Sequence, residues 1–230
     1  MEAGAYEARV SLRVAAGLPA CRVIEFEANP YMYKGFSEST DYAARGVEYR
    51  HQALVGAPDK GRISFFVITS SSSGRDDRRE GYNSLLNRKA DNWLNVSEYE
   101  EAAVPATTLD RESGDVDGPF ALWMDVEGAS KEVLSGAQTF LDRCDIAKIE
   151  VEDQVFWEAQ WLATDVVAEM AGPRMELVAR DIEGGRQYNV LIASRRLLAR
   201  ADVQNRISRF NAEGSGHSAP VTPMSRSNPA

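Results

Sequence analysis

Carboxylate side chains follow three apolar segments that have the length and composition of strands. They are Glu27 after residues 21–26, Asp125 and Glu127 after the segment that begins at Phe120, and Glu150 and Glu152 around Val151. In open α/β sheets, ligands bind beyond the carboxyl ends of the parallel strands. A carboxylate there can accept hydrogen bonds from ribose hydroxyls or take a proton from a reacting group. The sequence therefore predicts an acidic ligand crevice.

The first residues of the chain resemble a cofactor loop with a single glycine. Gly4 lies in the segment 2–6, and its lack of a side chain lets the backbone approach a ligand closely. A dinucleotide pyrophosphate needs Gly-x-Gly-x-x-Gly at a helix N-terminus, whereas here Glu7 stands where phosphate charge would fall. This pattern disfavours a nicotinamide-dependent oxidoreductase. S-adenosylmethionine carries no phosphate and meets no such objection.

Apolar runs alternate with amphipathic stretches along the chain, which predicts βαβ units and a mostly parallel sheet. The predicted strands are 21–26, 47–55, 62–68, 104–110, 120–126 and 145–151, and the predicted helices are 9–16, 31–45, 130–143 and 156–171. Residues 175–178 and 188–193 are predicted to form an antiparallel hairpin with its turn at 183–185. The polar stretch 69–83 is expected to be either a lid over a ligand or a disordered loop.

Length, charge and cysteine usage limit the classes of protein. The 230 residues are predicted to form one domain over 1–210 and a disordered tail over 211–230. A net charge of −9 disfavours nucleic acid as a partner. No apolar stretch approaches the ~20 residues of a membrane span, and the N-terminus does not resemble a secretory signal. Cys21 and Cys144 are isolated, which favours reduced thiols and a cytoplasmic location.

Two adjoining segments carry a specific resemblance to a known family. Residues 125–129 read Asp-Val-Glu-Gly-Ala, and residues 132–137 read Glu-Val-Leu-Ser-Gly-Ala. Upstream, residues 25–30 read Glu-Phe-Glu-Ala-Asn-Pro. These segments resemble the FkbM family of methyltransferases, and the similarity runs in order from about Glu2 to about Ala193.

The resemblance implies a Rossmann-like methyltransferase fold, S-adenosylmethionine as methyl donor, and O-methylation of a sugar or another small hydroxylated metabolite. Matching the motifs gives donor-binding roles to Glu2, Gly4, Tyr6, Glu27, Asn29, Ser84 and Asp125. Asp125 and Glu127 are the predicted catalytic carboxylates, although they could instead stabilise the N-terminus of the following helix. Glu150 and Glu152 are expected to be structural or substrate-binding acids, and no metal is predicted.

The sequence also departs from the family pattern near its start. Tyr6 stands where the family favours Asn, Ala8 stands where it favours a second Gly, and the first strand is shortened. These departures motivate an alternative function, a non-catalytic module that keeps the fold but binds the donor weakly or not at all.

Overall fold

We describe the protein from a computed structural model that covers residues 1–89, 94–172, 174–181 and 186–213. The strands of the described part are β1 (Glu2–Ala3), β2 (Val23–Glu27), β3 (Val47–His51), β4 (Ala53–Leu54), β5 (Arg62–Ser71), β6 (Val96–Thr107), β7 (Phe120–Met124), β8 (Cys144–Glu152), β9 (Met175–Arg180) and β10 (Gln187–Ser194). The helices are α1 (Arg9–Gly17), α2 (Pro30–Ser39), α3 (Leu109–Ser113), α4 (Ser130–Leu134), α5 (Gln138–Arg143), α6 (Ala163–Met170), α7 (Arg195–Leu198) and α8 (Ala201–Glu213), with a short 3₁₀ helix at Ala43–Arg45.

The main sheet has seven strands in the order β3-β2-β1-β7-β8-β10-β9. Strands β3, β2, β1, β7 and β8 are parallel, while β10 is antiparallel to both β8 and β9. This arrangement confirms the predicted α/β fold with an antiparallel C-terminal pair. The short first strand is confirmed as well, because β1 has two residues and still pairs with β2 and β7.

The largest apolar core lies between the main sheet and helices α4, α5 and α6. Met124 and Ile149 from the sheet are fully buried there, together with Leu134 and Phe140 from the helices. This packing fixes the β7–α4 connection, which carries the acidic motif, against a rigid layer. The stacked rings of Phe120 and Phe140, with centroids 4.9 Å apart, extend the contact to the start of β7.

A second sheet of three strands, in the order β4-β6-β5, stands beside the main one. The single strand predicted at 47–55 is two strands, because β3 joins the main sheet and β4 pairs with β6. The short edge strand predicted at 104–110 is wrong in extent. Residues 104–107 are the end of the twelve-residue β6, which is the central strand of this sheet and pairs antiparallel with β5, and Leu109 already begins α3.

Three predicted helices also differ from the structure. The helix expected over 31–45 ends at Ser39 and is followed by the separate 3₁₀ helix. The helix expected over 130–143 is two short helices, α4 and α5, with a turn at Gly136 between them. This turn packs directly on the backbone of Val55, since a Cβ at Gly136 would lie 2.3 Å from the Val55 carbonyl oxygen. The helix expected from residue 156 begins only at Ala163. The side chain of Gln160 accepts hydrogen bonds from the backbone N–H groups of Phe156 and Trp157, which holds that segment in a non-helical conformation.

The C-terminal predictions are described in part. The strands of the predicted hairpin are present as β9 and β10, whereas its turn at 183–185 lies outside the described residues. Helix α8 runs to Glu213, so it takes in the first three residues of the predicted tail. Residues 214–230 lie outside the described part of the chain.

Candidate active site

A cavity of about 380 Å³ opens at the carboxyl ends of β1, β2 and β7. This is the point where the order of the parallel strands reverses, and open α/β sheets bind their ligands there. Its volume falls in the range of small-molecule pockets. The first loop, the end of β2, the β7–α4 turn and residues 80–85 form its walls, and Leu54 contributes an apolar surface. The cavity is therefore the candidate ligand site.

The first loop, residues 4–8, begins where its backbone closely approaches the backbone that follows β7. Gly4 has φ 77°, and a Cβ at this position would lie 1.5 Å from the carbonyl oxygen of Asp125. Glycine is therefore required by the neighbouring backbone itself. The backbone N–H groups of Gly4 and Ala5 both donate to the carbonyl oxygen of Phe26, at 3.0 and 3.1 Å. These bonds lock the loop onto the end of β2.

Two further residues of this loop have left-handed backbone conformations. Tyr6 has φ 47° and Ala8 has φ 57°. Asn and Gly adopt this region more easily than Tyr and Ala do. The residues that depart from the family pattern thus occupy the two positions where the backbone favours the family's residues. The loop stores strain beside the cavity.

Glu27 is held in place by the backbone on both of its carboxylate oxygens. Tyr6 N–H donates to Oε2 at 2.9 Å, and Asn29 N–H donates to Oε1 at 2.7 Å. Burial raises the pKa of Glu27 to about 7, although these two N–H donors oppose the shift. The carboxylate lines the cavity and keeps lone pairs for a ligand's hydroxyl groups.

The side chain of Asn29 serves the fold as well as the cavity wall. Its Oδ1 caps α2 by accepting hydrogen bonds from the backbone N–H groups of Tyr31 and Met32, at 3.0 and 3.3 Å. Its Nδ2 donates to the carbonyl oxygen of Arg78 at 2.8 Å. Asn29 therefore connects the end of β2 to the loop that precedes Leu85.

Four acidic side chains, which we call the rim cluster, meet at the carboxyl ends of β7 and β8: Asp125, Glu127, Glu150 and Glu152. Carboxylate oxygens of the first three lie within 4.8 Å of one another. Burial, followed by the charge of Asp125, raises the pKa of Glu150 to about 9 and that of Glu127 well above its usual range. Burial raises the pKa of Glu152 to about 7, against a hydrogen bond from Gln160. Carboxylates with raised pKa values are suited to proton transfer near neutral pH.

Side-chain amides and one guanidinium surround the rim cluster. Gln187 Nε2 donates to Glu150 Oε1, and Gln160 Nε2 donates to Glu152 Oε2, both at 2.6 Å. The guanidinium of Arg88 lies 4.8 Å from the centroid of the Trp157 ring, and its charge lowers the pKa values of Glu127 and Glu152. These contacts keep the acids in fixed positions.

The turn after β7 has an unusual backbone that aims the acids at the cavity. Glu127 has φ 50° and Gly128 has φ 81°. A Cβ at Gly128 would lie 2.7 Å from the Trp157 ring, so glycine is required there. Ser84 Oγ donates to the carbonyl oxygen of Glu127 at 2.7 Å and fixes the strained turn.

The structure brings together most of the residues singled out from the sequence. Those that line the cavity are Gly4, Tyr6, Glu27, Asn29, Asp125 and Glu127. Ser84 is buried behind the wall, where it holds Glu127. Glu2 points to the sheet face opposite to that of Ala3, which does line the cavity, and accepts a hydrogen bond from Ser11 Oγ at 2.5 Å. We therefore assign Glu2 and Ser84 supporting positions in place of direct ligand contacts.

Sequence reasoning missed the wall made by residues 80–85. Glu80, Gly81, Asn83 and Leu85 line the cavity, whereas the sequence predicts a donor contact only at Ser84 and a lid or a disordered loop over residues 69–83. Sequence patterns also do not predict the packing of Phe156 and Trp157 against Arg88, which is distant in sequence. A contact between residues so far apart in the chain produces no local sequence pattern from which it could be predicted.

No helix in the described part of the chain is both long and apolar enough to span a membrane. Among the described residues, both cysteines are free thiols, with Cys21 exposed and Cys144 buried.

Comparison with known proteins places the chain among methyltransferases. Of solved structures, it is similar to precorrin-6y C5,15-methyltransferase from Geobacter metallireducens GS-15, at 12% identity and a TM-score of 0.41, over 84% of this chain and 77% of that one. It is also similar to Sp1610 from Streptococcus pneumoniae, described as a putative tRNA (m1A22) methyltransferase, at 10% identity and a TM-score of 0.40, over 94% and 72%. No curated protein sequence matches. The profile of the methyltransferase FkbM domain matches residues 2–180, which is well over half of the chain, and the protein therefore belongs to the FkbM methyltransferase family.

Proposed function

We propose that this protein transfers a methyl group from S-adenosylmethionine to a hydroxyl oxygen of a small polyhydroxylated molecule, such as a sugar. The observation that carries the proposal is the meeting of two features in one cavity. Glu27 is held by two backbone N–H groups at the end of β2, and the rim cluster lies at the end of β7. The first feature suits a ribose and the second suits a hydroxyl that must lose a proton.

The residues present fit the donor. Glu27 can accept hydrogen bonds from both ribose hydroxyls, while Leu54 and Met32 offer apolar surface to a base. Asp125 lies across the cavity, where its negative charge favours the donor's amino group and sulfonium. When bound, S-adenosylmethionine supplies an electrophilic methyl group for direct displacement. The chain itself positions the acceptor and excludes water.

The rim cluster defines what the acceptor can be. Glu127 or Asp125 takes the proton from the acceptor hydroxyl as its oxygen attacks, and burial already raises the pKa of Glu127. Phosphorylated or carboxylated acceptors would meet like charge from the acids. Neutral molecules rich in hydroxyl groups match a wall of hydrogen-bond acceptors instead. We include a cytoplasmic location and the absence of a bound metal in this proposal.

A second candidate function rests on the strained first loop. Tyr6 and Ala8 occupy left-handed conformations in the loop that contacts Glu27, and such strain could weaken donor binding. The protein would then be a methyltransferase-fold binding module without turnover.

The test measures thermal unfolding and calorimetric binding with S-adenosylhomocysteine. At ~100 times Kd, binding to the folded state adds about 2.7 kcal/mol, which raises the midpoint clearly. Glu27→Gln should remove most of this shift, whereas Glu7→Gln, whose side chain pairs with Arg9, should retain it. Transfer of labelled methyl groups to a panel of neutral and phosphorylated sugars then tests the acceptor. Cooperative unfolding with no shift in the unmutated protein would support the second candidate.

A further inference from the structure

Residues 72–85, which we call the strap, are organised around a fully buried carboxylate. Asp77 is 0% exposed and accepts hydrogen bonds from three hydroxyl groups. Ser71 Oγ donates to Oδ2 at 2.5 Å, Ser73 Oγ donates to Oδ1 at 2.7 Å, and Tyr82 also donates to Oδ1. Burial opposes the charge, yet these donors lower the pKa of Asp77 below its usual value. The strap therefore has an ionised centre at neutral pH.

A second buried polar residue completes the strap. Asn83 Oδ1 accepts from the backbone N–H of Ile68 at 2.5 Å, which ties the strap to β5. Its Nδ2 donates to the carbonyl oxygens of Asp77 and Glu80, at 3.1 and 2.8 Å. The amide thus forms hydrogen bonds with backbone groups of both the strap and β5. These buried hydrogen bonds stabilise the conformation of the strap.

The strap joins both chemical ends of the cavity. Asn29 Nδ2 donates to the carbonyl oxygen of Arg78 beside Glu27, and Ser84 Oγ donates to the carbonyl oxygen of Glu127. Arg79 lies against α2 so closely that a Cβ at Gly35 would meet its guanidinium at 1.8 Å. Strap residues that face the cavity are Glu80, Gly81, Asn83 and Leu85. The strap thus forms a wall that contacts the donor side and the acceptor side at once.

We propose that Asp77 is a positioning residue for the methyl donor, and that its three hydroxyl contacts hold the strap closed over the donor site. The inference rests on the proposed function, because it takes the cavity to be the donor site. Asp77 itself does not line the cavity and acts through the strap. If fewer molecules have the strap closed, the apparent Kd rises by the inverse of the closed fraction.

The primary test compares Asp77→Asn with Asp76→Asn. The amide introduced by Asp77→Asn presents N–H groups to hydroxyl donors, so the strap should open. Asp76 is the neighbouring acid, is exposed, and bonds to Arg78 within the strap. Calorimetric affinity for S-adenosylhomocysteine should fall about tenfold or more in Asp77→Asn, as expected if the closed fraction drops to about a tenth. It should change less than about twofold in Asp76→Asn.

Limited trypsin digestion measures how open the strap is and does not require methyl transfer activity. Arg75, Arg78 and Arg79 provide cleavage sites inside it. S-adenosylhomocysteine should protect these sites in the unmutated protein and in Asp76→Asn, and should protect them poorly in Asp77→Asn. Ser73→Ala removes one of the three donors and should give an intermediate affinity and cleavage rate, which keeps the test available if Asp77→Asn unfolds.

The outcomes separate this inference from the proposed function. If the unmutated protein binds no S-adenosylhomocysteine, the donor site itself is refuted. If it binds the ligand and the folded Asp77→Asn and Ser73→Ala variants bind equally well, with equal protection from trypsin, the positioning role of Asp77 is refuted. Weaker binding with faster cleavage at the strap supports it.

Discussion

Two groups of acids at the main sheet, one buried inside it and one mostly half-buried at its strand ends, have different surroundings. The inner pair, Glu2 and Glu25, are register partners on β1 and β2 beneath α1. Glu25 is 0% exposed, and neither of its carboxylate oxygens has a hydrogen-bond partner among the described residues. The rim cluster lies further along the sheet at the strand ends, where it has amide donors and Asp125 and Glu127 line the cavity.

The comparison shows that a raised pKa alone does not identify a functional acid. Burial, followed by the charge of Glu2, raises the pKa of Glu25 to about 10, while Glu150 reaches about 9 for similar reasons. The raised pKa means that Glu25 carries a proton at neutral pH, and neither acid of the inner pair lines the cavity of the described part of the chain. Asp125 and Glu127 of the rim cluster line the cavity, where they can exchange protons with a ligand. Access and fixed donors distinguish the site from the interior.

The largest expected effect is on kcat, and it distinguishes the rim cluster from the inner pair. Glu127→Gln removes the proposed base and should lower kcat by about 10²–10⁴, the usual contribution of proton transfer. Affinity for S-adenosylhomocysteine should stay nearly unchanged, because Glu27 remains. Glu25→Gln should leave kcat unchanged, because it alters only the inner pair. Rates of methyl transfer under saturating donor and acceptor give the comparison.

A double variant tests whether Asp125 replaces Glu127 as the base when Glu127 is removed. Because Asp125 lies beside Glu127, it can take over as base when Glu127 is removed. If Asp125→Asn combined with Glu127→Gln retained both donor binding and full turnover, proton transfer by the rim cluster would be excluded.

The next effect concerns stability. Glu25→Gln should stabilise the protein by about 2–4 kcal/mol at pH 8, because folding no longer requires uptake of a proton at this position. The folded pKa of about 10 lies above the usual 4.5, so the stability from this group is complete below about pH 4.5 and falls as pH rises towards 10. Its slope is at most about 1.4 kcal/mol per pH unit. Urea unfolding at several pH values measures it.

The exposed Glu38→Gln variant serves as the control and should keep the slope of the unmutated protein. A Glu25→Gln protein with the same pH dependence as the unmutated one would show that the inner pair holds no proton, and the contrast with the rim cluster would then disappear.

Donor binding should depend on pH through a smaller effect. The pKa of Glu27 is raised by burial to about 7, and only its ionised form lets both oxygens accept hydrogen bonds from ribose hydroxyls beside the two backbone N–H groups. Affinity for S-adenosylhomocysteine should therefore increase by about tenfold at most between pH 6 and pH 8. Calorimetry at both values tests this. Since Glu152 also has a pKa of about 7, Glu27→Gln must flatten the profile and Glu152→Gln must not.

The frame of the site was predictable because local patterns encode it. The Asp-Val-Glu-Gly-Ala stretch and the acid Glu27 mark the strand ends, and these ends meet wherever parallel strands share a sheet. The left-handed turn at Glu127 and Gly128 could not be predicted from the sequence, because it depends on Trp157 packing against the glycine. Likewise, the Asp77 centre depends on hydroxyl groups whose approach is set by the fold of the strap.

The inner pair explains why we assign Glu2 a supporting position, although the family motif gives it a donor contact. Its position at the end of β1 fits the motif, yet the alternation of side chains along a strand turns it away from Ala3 and the cavity. A two-residue strand is too short for sequence alternation to show which face is buried, so only its register with Glu25 and Trp123 decides the orientation.

The smallest expected effect comes from the first loop, which joins the inner pair to the donor site. Tyr6→Asn restores the family's residue at φ 47°, and the strain relieved is about 1 kcal/mol. It also removes the edge contact between the Tyr6 and Phe36 rings, worth about 0.5–1.5 kcal/mol, so the two changes nearly cancel in unfolding free energy. The backbone N–H that donates to Glu27 is kept, and donor affinity should change less than about threefold. A much larger gain in affinity would mean that Tyr6 disables the loop, and the non-catalytic function would then be favoured over methyl transfer.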